Sequence, residues 1–478
     1  MPLNLDRNLS WKQALYPKTP QDTSDLAMLA DMQGNILKGH GRKHTANVFL
    51  RFGDAKAGRR FLGKLAADIP SALDQLLGTH LYQTIGTDGG VFISALISAS
   101  GYKALGLPAA AMPSDDAFLK GMAARHELLA DPSKSGWDKP LNEELHCMVL
   151  IGVDDPEGWT GKPGAARDAA LSEFLARIAS FGASVTALAP ILGDALFNTR
   201  DHNGIEHFGY VDGRSQPLML EEDLAKEPAK NWDPRIPLGQ VLLRDPGGAL
   251  EVSCGSYFVF RKLEQNVRGF KEAEAGLAEA LGMKDPDDER AGASVVGRFE
   301  NGTPVVLHKE KIDLNPKQDV ENDFNYATDP SGLMCPFAGH IRKTNPREDG
   351  TKQHLMARRG IPFGTRNDDP NDPALDIKPT GGVGLLFMAY QSDLIDQFEF
   401  TQAKWADNPA FNFKGKQPVG TDPVIGQGAA ADAKQRYPVQ WGGPLSEPQG
   451  FGGFVTMRGG EYFFAPSLSF LKGLPTTG

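Results

Sequence analysis

The feature that most constrains the fold is a succession of apolar strand candidates, each followed by a helix candidate. In the first half of the chain TANVFLRF (Thr45–Phe52) alternates apolar and polar residues as a strand does. The alanine-rich stretch DAKAGRRFLGKLAADI follows it, with Asp54 as a helix N-cap. GGVFISALISAS and LHCMVLIGV predict further buried strands, and ARDAALSEFLARIASF carries apolar residues at helical spacing.

The second half repeats this order more loosely. SYFVFRKLEQN (Ser256–Asn266) predicts a strand, and GFKEAEAGLAEALGM predicts the helix after it. GVGLLFMAYQ (Gly382–Gln391) and DLIDQFEFTQAKWAD form a second such pair, and GGEYFFAPS (Gly459–Ser467) predicts a last strand. Two comparable halves of this kind predict an α+β fold with two units, each a sheet covered by helices. The halves share no motif that would prove a duplication.

Charge and cysteine content exclude several classes of protein. The 478 residues carry a formal net charge of −10, which argues against a general nucleic-acid binder. No run of about 18 apolar residues is present, so we expect no membrane span. The three cysteines are far apart in the sequence, and the first residues lack the pattern of a secretory or transit signal. We therefore expect a cytoplasmic protein.

The segment EHFGYVDGRSQP holds one candidate catalytic carboxylate. Asp212 stands between Gly209 and Gly213 in a stretch too irregular for a helix. Asp-Gly is a common turn-forming pair, so the residues alone fit a simple turn. They equally fit a carboxylate held above a reactive group, and this choice stays open on spacing alone.

A second candidate is the histidine of CPFAGHIRKTNPR. His340 follows two small residues and precedes Arg342, Lys343 and Arg347. Small residues allow a flat ligand to approach the backbone, and guanidinium groups bind carboxylates. A haem needs such a set, namely one axial nitrogen and partners for two propionates. An ordinary buried histidine beside a solvated basic loop has the same spacing, and by spacing alone it is favoured over haem.

Two further segments have both a functional and a plain interpretation. HLMARRGIPFGTR presents Arg358 and Arg359 before a rigid glycine- and proline-rich path, where an arginine can stabilise developing negative charge. A surface pair of arginines entering a turn would look the same. In GLLFMAYQ, Leu385 and Phe387 share one strand face, which could line a dry cofactor pocket or belong to an ordinary buried strand.

Taken together, these segments resemble the dye-decolourising peroxidases. FGYVDGRSQP is similar to the Gly-x-x-Asp-Gly signature of that family, GHIRKTNPR to its proximal-histidine segment and RRGIPFG to its distal-arginine segment. MQGNILKGHGR, GSYFVFRKLEQNV and RGGEYFFAPS resemble further family stretches. The six matches occur in order from about residue 32 to about residue 467, and their order makes them far more specific than any single match.

The resemblance implies two ferredoxin-like α+β domains with antiparallel sheets covered by helices. It places haem b mainly in the C-terminal domain. We expect residues 1–215 to form the N-terminal domain, including the distal aspartate segment, and residues 216–478 to form the haem-binding domain. Long loop stretches around Lys352–Gly382 and Lys414–Gly450 suggest one of the larger bacterial branches.

Carried over by position, the resemblance assigns a role to each candidate. It makes His340 the axial iron ligand and Asp212 the distal acid/base. Arg358 takes the place of the distal arginine, whereas Arg359 points away or meets a propionate. The remaining cofactor contacts that it implies are Gly213, Arg342, Leu385 and Phe387, with Gly213 close over the macrocycle, Arg342 at a propionate and the other two lining the distal cavity.

One family feature is missing from its expected place. Some members carry a late-strand aspartate that accepts the second N–H of the proximal histidine, and Gly453 stands at that position here. A carboxylate partner tunes the basicity of the ligand and hence the potential of the iron. The sequence offers Glu399 and Glu461 as candidates and secures neither.

The activity that follows is reduction of hydrogen peroxide with oxidation of dyes, phenols or similar small organic reductants. Breaking the O–O bond requires a proton to move from one peroxide oxygen to the other, and an ionised base must accept it first. An aspartate ordinarily ionises above about pH 3.9, so this chemistry favours acidic conditions. The alternative is a haem-binding or iron-releasing protein with incidental peroxidase activity. The sequence leaves the reductant and the oligomeric state open.

Overall fold

The computed structural model describes residues 3–199, 202–227, 229–284, 288–313, 321–411, 419–428 and 434–474. Within these ranges the chain forms α-helices that pack against antiparallel strands. The helices are α1 Trp11–Leu15, α2 Pro20–Asp31, α3 Ala55–Leu65, α4 Ala72–Ile85, α5 Ala99–Ala104, α6 Asp116–Lys120, α7 Ala165–Ala179, α8 Glu221–Leu224, α9 Val267–Ala280, α10 Glu289–Val296, α11 His340–Thr344 and α12 Leu468–Gly473.

The strands of the first half are β1 His44–Phe52, β2 Phe92–Ser98, β3 Cys147–Val153, β4 Val185–Ala187, β5 Ile191–Asp194, β6 Leu196–Phe197 and β7 Gly204–Ile205. Those of the second half are β8 Leu243–Arg244, β9 Cys254–Gln265, β10 Ala357–Arg358, β11 Ile361–Phe363, β12 Gly384–Gln391 and β13 Val455–Ala465. Each strand predicted from the sequence is present.

The first-half strands pair around β1 and β3. Strand β1 is antiparallel to β3, β4 and β5, and β3 is also antiparallel to β2. Helix α3 begins as predicted, because an Asp54 carboxylate oxygen accepts the backbone N–H of Ala57 at 2.7 Å. Helix α7 buries Leu171, Phe174 and Ile178, which confirms the predicted apolar stripe.

The second-half strands pair around β9, which lies between β12 and β13. The two halves meet where the end of β13 pairs with the end of β2, through Phe463 with Ser98 and Phe464 with Ile97. The strand order is therefore β10-β12-β9-β13-β2-β3-β1-β4. This mixture of helices with antiparallel strands confirms the α+β class, whereas the domain boundary after residue 215 stays a prediction.

The segment predicted as a helix after β12 takes a less common form. Leu394–Ala406 is a π-type helix, and the N–H of Asp407 after it donates to the carbonyl of Gln402, five residues back. Apolar periodicity does not distinguish this helix from an α-helix. Among the described helices, none combines the length and apolar character that crossing a bilayer requires.

Candidate functional site

One cavity gathers most of the residues singled out in the sequence. Its wall is formed by the turn after β7, helix α11, strands β10 and β12, and the π-type helix. Segments more than 180 positions apart in the chain thus meet at one place. The predicted residues that line the cavity are Asp212, Gly213, His340, Arg358, Arg359, Leu385 and Phe387.

His340 is the first residue of α11 and faces the cavity with one ring nitrogen. Its Nδ1 lies 2.9 Å from Oδ2 of Asp422, a carboxylate with no exposed surface. Oδ1 of Asp422 accepts the backbone N–H groups of Val424 at 2.8 Å and Ile425 at 2.9 Å. The carboxylate therefore holds the ring by Nδ1 and leaves Nε2 for the cavity.

The charges of this pair stabilise one another. Burial lowers the pKa of His340, but the charge and hydrogen bond of Asp422 outweigh burial and raise it overall. Burial raises the pKa of Asp422, and the charge of His340 with its hydrogen bonds outweighs burial and lowers it. Asp422 therefore stays ionised beside the ring, as a carboxylate partner of a ligating histidine must.

Asp422 was not among the candidates for this partner, and both candidates are corrected. Glu399 binds the guanidinium of Arg125 and accepts the hydroxyl of Tyr462 at 3.0 Å. Glu461 accepts the backbone N–H groups of Met122 at 3.0 Å and of Tyr462 at 2.7 Å. Neither carboxylate is free to meet the imidazole.

The missed partner lies in a loop, 82 positions after the histidine. Its local sequence is TDPVIG, in which an aspartate before proline is a turn signal. The turn is indeed formed, since the side chain of Asp422 accepts the N–H groups two and three residues later. That signal could have indicated an anchored carboxylate, but it contains nothing that points to the histidine.

Asp212 lies in another part of the cavity wall, at the end of the turn that follows β7. The backbone N–H of Asp212 donates to the carbonyl of Gly204 at 3.2 Å, and its Oδ1 accepts the N–H of Gly213 at 2.6 Å. Gly213 has a φ of +79°, a conformation that glycine adopts without strain. The turn interpretation is thus correct for the backbone, and the side chain of Asp212 is exposed.

Arg358 is tied to the same segment as Asp212. Its backbone N–H donates to the side-chain oxygen of Gln216 at 3.1 Å, and its Nη2 donates to the carbonyl of Ser215 at 2.9 Å. The Arg358 guanidinium is therefore bound at Ser215, three residues after Asp212 in the same segment.

Arg359 follows the last residue of β10 and is directed elsewhere. Although it contributes to the cavity wall, its guanidinium donates to the carbonyls of Asn35 and Ile36, each at 2.7 Å. These carbonyls belong to the MQGNILKGHGR segment. Of the two arginines, Arg358 is the one bound to the segment that contains Asp212.

Strand β12 supplies the apolar part of the wall. Leu385 and Phe387 are half-buried and line the cavity, whereas Leu386 and Met388 are buried in the core behind them. The alternation predicted from GLLFMAYQ is present in full.

Arg342 requires a correction. It does not belong to the cavity wall, because its guanidinium donates to Oδ2 of Asp329 at 2.9 Å and to the carbonyl of Cys335 at 2.6 Å. It is also stacked between the rings of Tyr326 and Phe337, at 4.5 and 4.3 Å. These contacts fix the Arg342 side chain outside the cavity wall.

Arg347, five residues further on, lies in the cavity wall instead. It is buried, and its guanidinium donates to the carbonyls of Asn322 and Phe324 and to the Ser215 hydroxyl. Burial lowers its pKa to about 10, and it forms no ion pair with a described residue. Arg298, also in the wall, has the same character, with a pKa lowered to about 9 by burial. Two buried cations thus border the cavity with no ion pair to a carboxylate among the described residues.

Comparisons with known proteins place the chain among peroxidases. A family model described as Dyp-type peroxidase, C-terminal, matches residues 209–412. The multifunctional dye peroxidase DyP2 of an Amycolatopsis species is 44% identical over 99% of this chain and 100% of that protein. Its solved structure matches with a TM-score of 0.88, covering 98% of this chain and 100% of that chain. A DyP-type peroxidase from an Anabaena species is 35% identical, with a TM-score of 0.84 over 99% of this chain and 98% of that chain.

Proposed function

Since this chain belongs to the dye-decolourising peroxidases, a family of haem enzymes, we propose that it holds haem b through His340 and reduces hydrogen peroxide while oxidising dyes, phenols or similar organic reductants. The observation that carries this proposal is the placement of Asp212, Arg358 and His340 in the wall of a single cavity. A relative was solved with 2,6-dimethoxyphenol, which supports phenols as one reductant class.

The residues present fit haem. One imidazole nitrogen of His340 is left for the iron, because Asp422 occupies the other. Leu385 and Phe387 give the macrocycle an apolar wall. The buried guanidinium of Arg347 has no carboxylate partner among the described residues, and a propionate would supply one. We therefore propose Arg347 for the contact expected of Arg342.

The distal residues divide the work of breaking the peroxide bond. Haem iron, when bound, supplies the electrons that cleave the O–O bond. Asp212 accepts the proton from one peroxide oxygen and returns it to the departing oxygen. Arg358, whose charge does not titrate away, stabilises the negative charge that develops on the departing oxygen. Gly213 leaves room for the backbone to lie close to the macrocycle.

The proximal residues fix the ligand. Asp422 holds the imidazole in the tautomer that directs Nε2 to the cavity, and its negative charge makes the ring a stronger electron donor. Because Asp422 is itself bound by two backbone N–H groups, the ring orientation is set by the TDPVIG turn.

Reconstitution of the purified chain with haem tests the function. We expect a Soret band, followed by peroxide-dependent oxidation of a dye and of a phenol that is fastest at acidic pH. A chain that takes up no haem, or that takes it up without turnover, contradicts the proposal. Product analysis after peroxide addition separates the alternative function: intact haem with oxidised dye supports a peroxidase, whereas free iron with altered porphyrin supports an iron-releasing protein.

A further inference from the structure

Met356 is the sulfur-containing side chain of the cavity wall. Of the described residues that line the cavity, it is the one methionine, and none of them is a cysteine. It is 8% exposed and otherwise belongs to the apolar core. A thioether is among the most easily oxidised groups in a protein. The wall therefore holds an oxidisable sulfur beside the space in which we propose that peroxide reacts.

The main chain is fixed on both sides of Met356. The carbonyl of Leu355 accepts the side-chain N–H groups of Gln240 at 3.0 Å and of Gln397 at 2.6 Å. On the other side Ala357 begins strand β10, which is paired with β12. These bonds hold Met356 in its place in the wall.

Met356 and Arg358 lie on the same side of this segment. Both line the cavity, whereas Ala357 between them is buried and is not part of the wall. Two residues along an extended chain span about 7 Å, and both side chains are long enough to meet over that distance. Among the described residues the Arg358 guanidinium makes one hydrogen bond, to the carbonyl of Ser215. It therefore retains N–H groups for a further acceptor.

Other methionines of the chain provide an internal comparison. Met388 lies on β12, the strand that pairs with β10, but it is 1% exposed and is not part of the described cavity wall. Met112 and Met334 are also outside that wall, and both are half-buried. The chain thus offers one thioether at the cavity, one buried behind it and two that solvent can reach.

We propose that Met356 is a modification site, whose thioether is oxidised to the sulfoxide when hydrogen peroxide is supplied faster than the organic reductant. This inference rests on the function proposed above. A lone pair of the sulfur attacks one peroxide oxygen, so that the S–O bond forms while the O–O bond breaks. The sulfur loses two electrons, and the peroxide gains them. The proton of the attacked oxygen passes to the departing oxygen, which leaves as water.

The groups that serve turnover also serve this reaction. Asp212 moves the proton between the two oxygens, and Arg358 stabilises the charge on the one that departs. An ample organic reductant consumes the oxidising equivalents first and protects the sulfur. Oxidation of Met356 is therefore tied to an imbalance between the two substrates.

The product changes the wall beside Arg358. A sulfoxide is polar, and its oxygen needs a hydrogen-bond donor in an enclosed site. The Arg358 guanidinium is the donor on the same side of the segment. Once bound to the sulfoxide it no longer serves the departing oxygen, so the oxidised enzyme should react with peroxide up to about 10²-fold more slowly. Because sulfoxide reductases restore the thioether, this loss is reversible.

Peptide mass spectrometry of the wild type tests the site. Haem-loaded and haem-free protein are treated with peroxide in the absence of a reductant. Met356 should gain one oxygen atom in the loaded protein alone, and added phenol should prevent the gain. Met388 should stay unmodified in both samples, whereas Met112 and Met334 should be oxidised equally in both. Equal oxidation of Met356 with and without haem overturns the proposal, and so does oxidation of Met388 as fast as that of Met356.

Met356→Leu tests the consequence, because leucine is close to methionine in volume and contains no sulfur. After the same treatment, and at an undiminished Soret band, the wild type should lose most of its starting rate. Methionine sulfoxide reductases for both epimers should restore it. Met356→Leu should keep most of its own starting rate, whereas the matched control Met388→Leu should lose its rate as the wild type does. Equal loss in the two variants, or a loss in the wild type that the reductases do not reverse, overturns the switch.

Two results separate this inference from the proposed function. A chain that takes up no haem, or that shows no turnover, refutes the proposed function and this inference with it. A loaded chain that turns over dye while Met356 stays a thioether under excess peroxide refutes this inference alone. In loaded Asp212→Asn the oxidation of Met356 should be much slower than in the wild type. An equal rate would mean that the sulfur reacts independently of the cavity chemistry, and it would overturn the proposal.

Discussion

Asp212 in the cavity wall and Asp422 behind His340 have sharply different surroundings. Asp422 is fully buried, and both of its oxygens accept hydrogen bonds from His340 or from the backbone of its own turn. Asp212 is exposed, and its side chain accepts a hydrogen bond from the N–H of its neighbour Gly213. The carboxylate of Asp422 is thus anchored, whereas that of Asp212 is accessible.

This difference indicates that the two carboxylates suit different chemical roles. A buried carboxylate that is held by several donors stays ionised and fixed, so it suits the orientation of a ligand. An accessible carboxylate with few partners can gain and lose a proton at little cost, which general acid/base work requires. Substitutions on the two sides should therefore have different kinds of effect.

The largest effect is expected from His340→Ala on the anchored side. Without the axial nitrogen the Soret band should be lost or grossly perturbed, and added imidazole should restore part of it. His354→Asn is the control, because His354 is another imidazole in the cavity wall and its Nδ1 is engaged by the carbonyl of Asp396. An unchanged axial spectrum in His340→Ala would assign the ligand elsewhere.

Next in size is the effect of Asp212→Asn on the accessible side. The variant should bind haem normally and react with peroxide about 10²- to 10⁴-fold more slowly, because asparagine cannot accept the proton. Stopped-flow absorbance measures this rate. Asp223→Asn, which changes only a carboxylate bound to Lys38, should leave it unchanged. A normal rate in Asp212→Asn would show that the accessible carboxylate is not the base.

Arg358→Leu should lower the same rate by about 10²- to 10³-fold, because it removes the cation that we propose stabilises the departing oxygen. Arg359→Leu is the matched comparison. It removes donors from the carbonyls of Asn35 and Ile36, so it should lower the melting temperature and leave the rate near that of the wild type. The opposite result would exchange the roles of the two arginines.

The smallest effect is expected from Asp422→Asn. Haem should remain bound, while the iron potential rises and turnover falls about 10- to 100-fold, because a neutral amide makes the imidazole a weaker donor. Spectroelectrochemistry measures the potential. Glu399→Gln should leave it unchanged, since Glu399 contacts Arg125 and Tyr462 rather than the ring. Equal potentials in wild type and Asp422→Asn would mean that this carboxylate only supports the fold.

The sequence predicted the parts of the site that lie in short local segments. Asp212, His340 and Arg358 each stand in a short motif that is recognisable from adjacent residues alone. All three line the cavity. The strands were predictable for a similar reason, since the face of β12 that holds Leu385 and Phe387 follows from alternation alone.

What could not be predicted depends on contacts between distant segments. Asp422 meets His340 only because a loop folds back across the proximal side, and no local pattern encodes that path. The position of Arg347 in the cavity wall, and of Arg342 outside it, had the same origin. The two arginines are five residues apart in the sequence. Asp329 binds the guanidinium of Arg342 and so keeps it out of the cavity wall.

The pairing of β13 with both halves has a consequence during synthesis on the ribosome. Strand β9 can pair with β8 and β12 as soon as residue 391 has been made, but the edge that pairs with β13 stays open until β13 is made. The stretch of β9 along that edge contains Phe258, Val259 and Phe260, which are buried in the finished protein. An open apolar edge is a template for association with other chains. Nascent chains of this protein are therefore most exposed to aggregation, and most dependent on chaperones, during translation of the interval between β12 and β13.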